Sequence, residues 1–220
     1  MKLFASIASA DPLNLAGEIG KLNQWPWLHF DIEDGNFTPN LTFGQKTLAA
    51  AGRLAAPRRL DVHLMTANPL AFLEPVHESG AASVCAHLEA LRFPLLFLNR
   101  ARQMGLKAGL ALNLGTPLSA AAPFLEALDY LLVMTAEPDG QGEQLSRAAL
   151  TKAMTAAREL PVQVLADGAL DDGAVSALAG AGAAGCVLGR LVFGAPAPYE
   201  KLEALLRQTE SEGGTSVERL

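Results

Sequence analysis

The amino-acid sequence predicts a (β/α)8 barrel, and three observations support this fold class. Eight short apolar runs recur along the 220 residues, and their starts lie 22 to 33 residues apart. Each run is nearly continuous rather than alternating, which is typical of strands buried on both faces of a parallel sheet. The stretches between the runs are rich in Ala, Leu, Glu and Arg at helical spacing. Eight strand–helix units of this size favour a closed barrel, with a doubly wound α/β sheet as the alternative.

The predicted strands divide the chain into one domain and a short tail. In chain order they are 3–8, 27–32, 60–65, 83–88, 108–113, 130–135, 162–166 and 185–188. Glycines that follow the helical stretches and prolines that open them fit helix ends and helix starts. We expect residues 1–207 to form a single barrel without an interdomain linker. Residues 208–220 are polar and lack apolar periodicity, which predicts a disordered tail.

The charge balance and the cysteines argue against several classes of protein. The 17 basic and 23 acidic residues give a formal net charge of −6, which disfavours a general binder of nucleic acid or of anionic membranes. No run approaches the roughly 18 continuous apolar residues that a membrane helix needs. The N-terminus is too polar for a signal peptide. Cys85 and Cys186 lie inside apolar runs and are interpreted as buried thiols. We therefore expect a cytoplasmic protein.

Ionisable side chains collect at the predicted strand ends, where a (β/α)8 barrel has its active-site mouth. His29 and Asp31 are two positions apart and therefore face the same side of the second strand. His63 lies in the third strand, and Asp167 directly follows the seventh. Any one of them is more often a core histidine or a helix-capping aspartate than a metal ligand. Their convergence nevertheless predicts a site for one divalent ion such as Zn, Fe, Mn or Co.

Three further features receive structural interpretations. The G-x-G-x-x-G pattern at 180–185 closes a helix rather than opening one, so it is interpreted as a cap and turn instead of a dinucleotide site. His87 and Glu89 lie at the mouth and are interpreted as core-packing residues. The alternative is that they support the metal ligands from behind. Asp61 lies at the start of the third strand and is expected at the opposite end of the barrel as a structural residue.

Six stretches of the chain resemble the ribulose-phosphate 3-epimerase family in order and spacing. They are SIASAD at 6–11, HFDIEDGNFTPN at 29–40, LDVHLM at 60–65, NLGTPL at 113–118, ADG at 166–168 and LG at 188–189. This resemblance implies a (β/α)8 TIM barrel of the ribulose-phosphate-binding type that holds a catalytic divalent metal ion. It further implies an isomerase that inverts carbon 3 of a ketose phosphate through a cis-enediolate. A small-molecule sugar phosphate would be its partner, and the family is commonly homo-oligomeric.

The resemblance also implies roles for individual residues. The metal ligands would be His29, Asp31, His63 and Asp167. Asp31 and Asp167 would in addition be the base and the acid on the two faces of the substrate. Substrate contacts would come from Ser6, Glu33, His63, Met65, Gly142, Gly168, Gly189 and Arg190. Among these, Ser6 would bond the substrate near its reacting carbons, and Met65 would form an apolar wall beside the planar intermediate.

The chain departs from the family at the substrate-facing positions. Glu33 stands where the family usually has methionine, so a carboxylate enters the site or turns away from it. The loop at 137–143, which in the family cradles phosphate, contains three acidic residues, and acid beside phosphate is unfavourable. Arg190 replaces a serine and either supplies the positive charge that this loop lost or lies on the surface at a helix start. These departures bear on which substrate the protein binds more than on the reaction at carbon 3.

Four functional hypotheses remain open from the sequence. The first is epimerisation of D-ribulose 5-phosphate and D-xylulose 5-phosphate, and the second is epimerisation of another ketose phosphate such as allulose 6-phosphate. The third is a degenerate, non-catalytic paralogue that binds metal and ligand. The fourth is a related decarboxylase or aldolase, which would usually place a lysine with the strand-end aspartates. This fourth hypothesis is disfavoured because Lys46, Lys107, Lys152 and Lys201 lie in helices or loops or at a strand start.

Overall fold

Eight parallel strands close into a barrel in the computed structural model, which describes residues 1–22, 24–138 and 144–212. The strands are β1 (Lys2–Ser6), β2 (Trp27–Glu33), β3 (Arg59–Met65), β4 (Ser83–His87), β5 (Lys107–Leu112), β6 (Tyr130–Met134), β7 (Gln163–Asp167) and β8 (Gly185–Leu188). Each strand lies within two residues of its predicted bounds, and β1 pairs with β8 to close the ring. The (β/α)8 fold class is confirmed, and the doubly wound alternative is wrong.

Helices on the outside of the barrel connect consecutive strands. The α-helices are α1 (Leu15–Lys21), α2 (Gln45–Ala55), α3 (Leu73–Glu78), α4 (Pro94–Gln103), α5 (Arg147–Glu159), α6 (Asp172–Gly180), α7 (Arg190–Phe193) and α8 (Pro198–Glu212). Short 3-10 helices lie at Ile7–Ser9, Pro69–Phe72 and Leu88–Ala90. A longer one, Leu118–Ala127, replaces an α-helix between β5 and β6. It contains Pro123, which lacks the backbone N–H that an α-helical ladder needs.

The apolar side chains of the strands divide between two layers. Outward-facing residues such as Leu28 and Phe30 pack beneath the helices in the main core. Inward-facing residues, among them Phe4 and Tyr130, fill the interior of the barrel, as expected for this fold. A Cβ at Gly109 would lie 2.7 Å from the Tyr130 ring, so this position has no room for a side chain. The interior is therefore packed, and the polar site is built above it at the carboxyl ends of the strands.

Helix α8 extends into the segment that the sequence predicted to be a disordered tail. The helix runs to Glu212, and Thr209 is buried, with its hydroxyl donating to the Leu206 carbonyl at 2.8 Å. The side-chain amide of Gln208 donates to Ser176 Oγ on α6. The prediction is wrong for 208–212, because contacts with α6 and with the preceding turn continue the helix. The remaining residues of the predicted tail, 213–220, lie outside the described residues.

Two smaller expectations concern membrane spans and thiols. In the part of the chain that the structure describes, no helix is long and apolar enough to cross a bilayer. Cys85 and Cys186 are free and fully buried, as predicted. Burial raises the pKa of the Cys85 thiol well above its usual value, which leaves it protonated and unreactive.

Candidate metal centre and active site

Three strands bring two imidazoles and two carboxylates together at the carboxyl end of the barrel. His29 and Asp31 both point inward from β2, and Asp31 pairs in register with His63 on β3. Asp167 ends β7. One ligand atom from each of these four residues lies within 4.8 Å of the others. We call this group the metal cluster, and it is the convergence that the sequence predicted.

Individual distances show which atoms of the metal cluster face one another. Asp31 Oδ1 lies 3.1 Å from His29 Nε2 and 3.2 Å from His63 Nδ1. Asp167 Oδ2 lies 3.4 Å from His63 Nδ1 and 3.7 Å from His29 Nε2. The two histidines are fully buried. Two imidazole nitrogens and two carboxylate oxygens are a donor set that suits Zn, Fe, Mn or Co.

The electrostatics of the metal cluster favour a cation at its centre. Burial disfavours charge on Asp31, but contacts with His29 and His63 outweigh burial and hold the pKa of Asp31 well below its usual range. Burial likewise lowers the pKa of His63, yet hydrogen bonds with Asp167 and Asp31 raise that pKa to about 8. The buried carboxylate of Asp31 thus depends on positive partners. A divalent ion held by the same four residues would supply that positive charge, so the residues fit a metal.

Ser6 orients the carboxylate of Asp31. Its Oγ donates to Asp31 Oδ2 at 2.6 Å, and this hydroxyl is buried at the end of β1. Because Oδ2 is held by Ser6, Oδ1 is left to face the two imidazoles. Ser6 therefore lies in the site, as the resemblance implied, and it touches a member of the metal cluster as well as the cavity.

Asp61 lies directly behind the metal cluster, in contrast to its predicted place at the opposite end of the barrel. His29 Nδ1 donates to Asp61 Oδ2 at 2.8 Å, and the two residues pair in register across β2 and β3. The other oxygen, Oδ1, accepts from Ser83 Oγ and from Tyr130 Oη, the latter at 2.8 Å. Asp61 is fully buried. The signal that could have found it is its spacing, because Asp61 and His63 are two apart and share a face of β3.

His87 and Glu89 support the other histidine of the metal cluster. His63 Nε2 lies 2.9 Å from His87 Nε2, and both rings are fully buried. His87 Nδ1 faces Glu89 Oε2 at 3.5 Å and makes no closer hydrogen bond with the described residues. Burial lowers the pKa of His87 to about 4, so its ring is neutral at physiological pH. Of the two sequence interpretations, the structure shows the second: His87 and Glu89 lie behind a histidine of the metal cluster.

The polar end of Glu89 is anchored by the loop that follows β5. Its Oε1 accepts from the backbone N–H of Asn113 at 2.9 Å and from the hydroxyl of Thr116. Burial raises the pKa of Glu89, but the facing His87 ring and the hydrogen bonds from Thr116 and Asn113 prevail and lower it to about 2. Lys152 donates to the Asn113 carbonyl at 2.7 Å and so ties the same loop to α5. Sequence reasoning found no role for this lysine, whose function is to hold carbonyls rather than a substrate.

A cavity of about 610 Å³ opens above the metal cluster. It brings together most of the residues that the resemblance assigned to the substrate: Ser6, Glu33, Met65, Gly168, Gly189 and Arg190. His63 lies beneath them as part of the metal cluster. Gly142 falls outside the described residues. Met134 also lines the cavity, and sequence reasoning missed it, since its position at the end of β6 is the only signal that points to it.

Glu33 turns into the site rather than away from it. It ends β2, pairs in register with Met65 and is 7% exposed. Burial and the nearby charge of Asp31 raise the pKa of Glu33 to about 7. The cavity wall beside the metal cluster therefore carries a carboxyl group that can accept or donate a hydrogen bond.

The loops after β7 and β8 keep a tightly packed backbone on the other side of the cavity. Gly168 has a φ of +116°, and a Cβ there would lie 2.6 Å from the Ala136 nitrogen. Ala169 has a φ of +51°, a left-handed conformation that glycine adopts more easily. Two consecutive residues with positive φ thus form this turn, and the second of them is alanine rather than glycine. Arg190 follows Gly189 and begins α7.

A (β/α)8 barrel whose strand ends present a buried cluster of two histidines and two aspartates beneath a polar cavity defines a candidate metal-dependent enzyme of the TIM-barrel class. Comparison with known proteins identifies the family. The profile described as the ribulose-phosphate 3 epimerase family matches residues 2–193. The chain belongs to this family and is an isomerase of the epimerase type, which confirms the resemblance seen in the sequence.

Curated relatives from bacteria, plants and fungi match nearly the whole chain. The ribulose-phosphate 3-epimerase of Mycobacterium bovis is 36% identical over 208 residues, which cover 92% of this chain and 90% of the relative. The enzyme of Schizosaccharomyces pombe is 34% identical, with 93% and 92% covered. The cytoplasmic isoform of rice is 33% identical, with 98% and 97% covered.

Solved structures support the fold alone. The structure of KGPDC from Streptococcus mutans has a TM-score of 0.69 at 14% identity, and the match covers 96% of this chain and 98% of that one. Orotidine 5'-phosphate decarboxylase from Pyrococcus horikoshii has a TM-score of 0.68 at 14% identity, with 94% and 99% covered. At this identity the likeness shows a shared barrel and does not transfer an activity.

Proposed function

We propose that the protein interconverts the C3 epimers of a ketose phosphate, with D-ribulose 5-phosphate and D-xylulose 5-phosphate as the first pair. The observation that carries this proposal is the meeting of two carboxylates, Asp31 and Asp167, with two imidazoles beneath one cavity. The relatives named ribulose-phosphate 3-epimerase support the choice of substrate. We also propose that the enzyme acts in the cytoplasm as a homo-oligomer, without nucleic-acid or membrane partners.

The metal cluster would hold one divalent ion through His29 Nε2, His63 Nδ1 and an oxygen each from Asp31 and Asp167. When bound, such an ion stabilises negative charge that develops on the substrate oxygens next to the reacting carbon. Zn, Fe, Mn and Co all suit these donors.

The two aspartates divide the proton transfer between them. Inversion at carbon 3 requires removal of a proton from one face of the substrate and return of a proton to the other face. Asp31, which Ser6 holds in place, would accept the proton on its face and leave a planar cis-enediolate. Asp167 would donate a proton to the opposite face, and the reverse reaction would exchange the two roles. Met65 would pack against the planar species as an apolar wall.

The remaining lining residues would bind the two ends of the substrate. Glu33 would accept a hydrogen bond from a substrate hydroxyl where the sugar has one that reaches this wall of the cavity. Backbone at Gly168 and Gly189, together with the Arg190 guanidinium, would receive the phosphate at the other end. Arginine can bind a phosphate through two parallel hydrogen bonds, which offsets the acidic residues nearby. Gly142 would complete this phosphate contact.

The carboxyl group of Glu33 is the observation that favours a second candidate, another ketose phosphate such as allulose 6-phosphate. A longer sugar offers one more hydroxyl as a partner for that group. Glu33→Met separates the candidates: it is expected to raise the KM for a substrate whose hydroxyl meets Glu33 and to leave the KM of the others nearly unchanged. Glu74→Gln, an exposed carboxyl on α3, is the matched control.

Solvent deuterium tests the proposed chemistry directly. In deuterium oxide, the protein with its divalent ion is expected to introduce deuterium at carbon 3 of ribulose 5-phosphate or of allulose 6-phosphate. Asp31→Asn and Asp167→Asn should each abolish epimerisation, while metal analysis should find close to one ion per wild-type chain. Folded, metal-loaded protein that exchanges no C3 hydrogen with either sugar would contradict the proposed epimerase, and weak sugar-phosphate affinity in calorimetry would then favour the non-catalytic paralogue.

A further inference from the structure

We propose that Glu89, acting through His87, is a positioning residue that fixes the tautomer of His63 and thereby keeps His63 Nδ1 available as a metal ligand. The proposal rests on the metal site described under the proposed function. It concerns residues that do not line the cavity and to which the sequence alone assigned no definite role. The observation behind it is a contact between two buried imidazole nitrogens.

The contact between His63 and His87 requires that the two rings share one hydrogen. Their Nε2 atoms are 2.9 Å apart and fully buried, so one nitrogen must donate and the other must accept. If His63 donates, its Nδ1 in the neutral ring has a lone pair directed at Asp31 and Asp167, where an ion would be held. If His87 donates, the neutral His63 ring carries its proton on Nδ1, and that proton blocks the ligand position. The direction of this hydrogen bond therefore decides whether His63 can bind metal.

Glu89 favours the direction that leaves a lone pair on His63 Nδ1, whereas Asp31 and Asp167, which face that nitrogen at 3.2 and 3.4 Å, favour a proton there until an ion takes its place. Its Oε2 lies 3.5 Å from His87 Nδ1, and an ionised carboxylate can only accept hydrogen bonds. At this distance the negative charge favours a proton on Nδ1 of His87. A neutral His87 with its proton on Nδ1 has a lone pair on Nε2, which must then accept from His63. The carboxylate of Glu89 thus biases the proton position on His63, a ring that it does not touch.

The structure holds Glu89 in place for this role. Its other oxygen, Oε1, accepts from the Asn113 N–H and from the Thr116 hydroxyl, and Lys152 binds the carbonyls of residues 113, 114 and 116. These contacts leave Oε2 directed at His87. A carboxylate placed only for packing or solubility would not need one oxygen fixed by a loop and the other turned towards a buried ring.

Nitrogen-15 NMR of the unmodified protein tests the proton positions. With ¹⁵N-labelled histidine and one equivalent of Zn²⁺, we expect the protonated-nitrogen signal at Nε2 of His63 and at Nδ1 of His87. A proton on Nε2 of His87 in the zinc-loaded protein would overturn the proposal. This measurement needs no variant, so it tests the direction of the hydrogen bond even where a substitution impairs folding.

Zinc affinity, measured by competition with a chelator, tests the function of the arrangement. His87→Phe keeps a planar ring but cannot accept a hydrogen bond, and it should weaken zinc binding by about 10- to 100-fold, the usual range for loss of such a partner. In His87→Gln the amide oxygen can accept from His63, so its affinity should return towards the wild-type value. His77→Gln, at an exposed position on α3, is the control and should bind zinc like the wild type.

The outcomes separate this proposal from the proposed function. Folded His87→Phe that binds zinc as tightly as the wild type overturns the positioning role while the metal site and the epimerase chemistry stand. Wild-type protein that binds no divalent ion overturns both. Wild-type protein that binds zinc with the expected proton positions, but exchanges no C3 hydrogen, supports the positioning role and contradicts the epimerase.

Discussion

Two histidines of the metal cluster are supported from behind in different ways. In what we call the direct arm, His29 donates from Nδ1 straight to the carboxylate of Asp61 at 2.8 Å. In the relayed arm, Nε2 of His63 meets His87 instead of a carboxylate, and His87 in turn faces the carboxylate of Glu89. Both arms end in a carboxylate, which is the partner that raises the basicity of a metal-binding imidazole and fixes its orientation.

The two terminal carboxylates differ in how firmly they are held. Asp61 is fully buried and also accepts from Ser83 and Tyr130, which lie on β4 and β6 in the barrel interior. The Glu89 side chain is 26% exposed and is anchored mainly by the loop after β5. The direct arm is therefore part of the barrel core, whereas the relayed arm ends at a partly exposed carboxylate beside the loop after β5. Substitutions behind the two histidines of one site should therefore be tolerated to different degrees.

The largest effect is expected from Asp61→Asn in the direct arm. Three donors converge on two carboxylate oxygens, and asparagine offers only one acceptor and brings a buried NH₂ group. Zinc affinity should fall by about 100-fold. The free energy of unfolding should fall by about 3 kcal/mol, since buried donors lose their acceptor. Chelator competition and urea denaturation measure the two effects, with Glu74→Gln as the exposed control. A variant as stable as the wild type would contradict the core role of Asp61.

A smaller effect is expected from Glu89→Gln, and it should depend on His87. Loss of the negative charge should weaken zinc binding by about tenfold in the chain that contains His87. In the His87→Phe background the same change should have almost no effect, because no hydrogen-bonding side chain connects Glu89 to His63. A double-mutant cycle on the zinc dissociation constants measures this coupling. Fully additive effects would show that Glu89 acts by some route other than His87.

The relayed arm should also give the protein an acid-sensitive stability. Its hydrogen bonds lower the pKa of Glu89 from 4.5 to about 2, so as the pH falls the unfolded chain binds the proton before the folded protein does. The stabilisation is therefore complete above pH 4.5 and is lost progressively towards pH 2. Glu89→Gln should be less stable than the wild type at neutral pH, by about 2 kcal/mol.

Urea unfolding of both proteins between pH 7 and pH 2 measures this difference. The gap in free energy of unfolding between wild type and Glu89→Gln should close as the pH falls through the window from 4.5 to 2. A gap that stays constant with pH would show that the Glu89 charge contributes nothing to stability.

The smallest effect on zinc binding is expected from Arg190→Ser, at the far side of the cavity. Arg190 belongs to neither arm, so zinc affinity should match that of the wild type. The KM for a ketose phosphate should rise by about tenfold, because the proposed bidentate contact with the phosphate would be lost. Chelator competition and steady-state kinetics with the zinc-loaded variant check the two values. An unchanged KM would place Arg190 at the surface rather than in the phosphate site.

The fold was accessible from the sequence because its signal is local. Strands buried on both faces read as continuous apolar runs, and all eight were found within two residues of their bounds. The prediction was less successful at the end of α8, where contact between Gln208 and Ser176 on α6 extends the helix through a polar segment. Polar composition by itself could not show that contact, which joins residues distant in the chain.

The candidate site likewise has parts that local sequence predicts and parts that depend on contacts between strands. The residue types of the metal cluster were visible because two-residue spacing on a strand and a position at a strand end are local properties. Asp61 was misplaced, since its contact with His29 depends on how β2 and β3 align across 32 residues of sequence. Glu33 was left open between two orientations, and only the register with Met65 shows that it faces the cavity.

The sequence by itself determined the strands, the barrel class and the chemical types of the ligands, because side-chain periodicity and apolar runs follow from neighbours along the chain. Only the tertiary structure decided which nitrogens and oxygens meet: His29 with Asp61, and His63 with His87 and, behind it, Glu89. The physical reason is that these contacts join different strands. Their hydrogen-bonding direction depends on distances of about 3 Å, which are set by barrel closure and strand register rather than by local sequence.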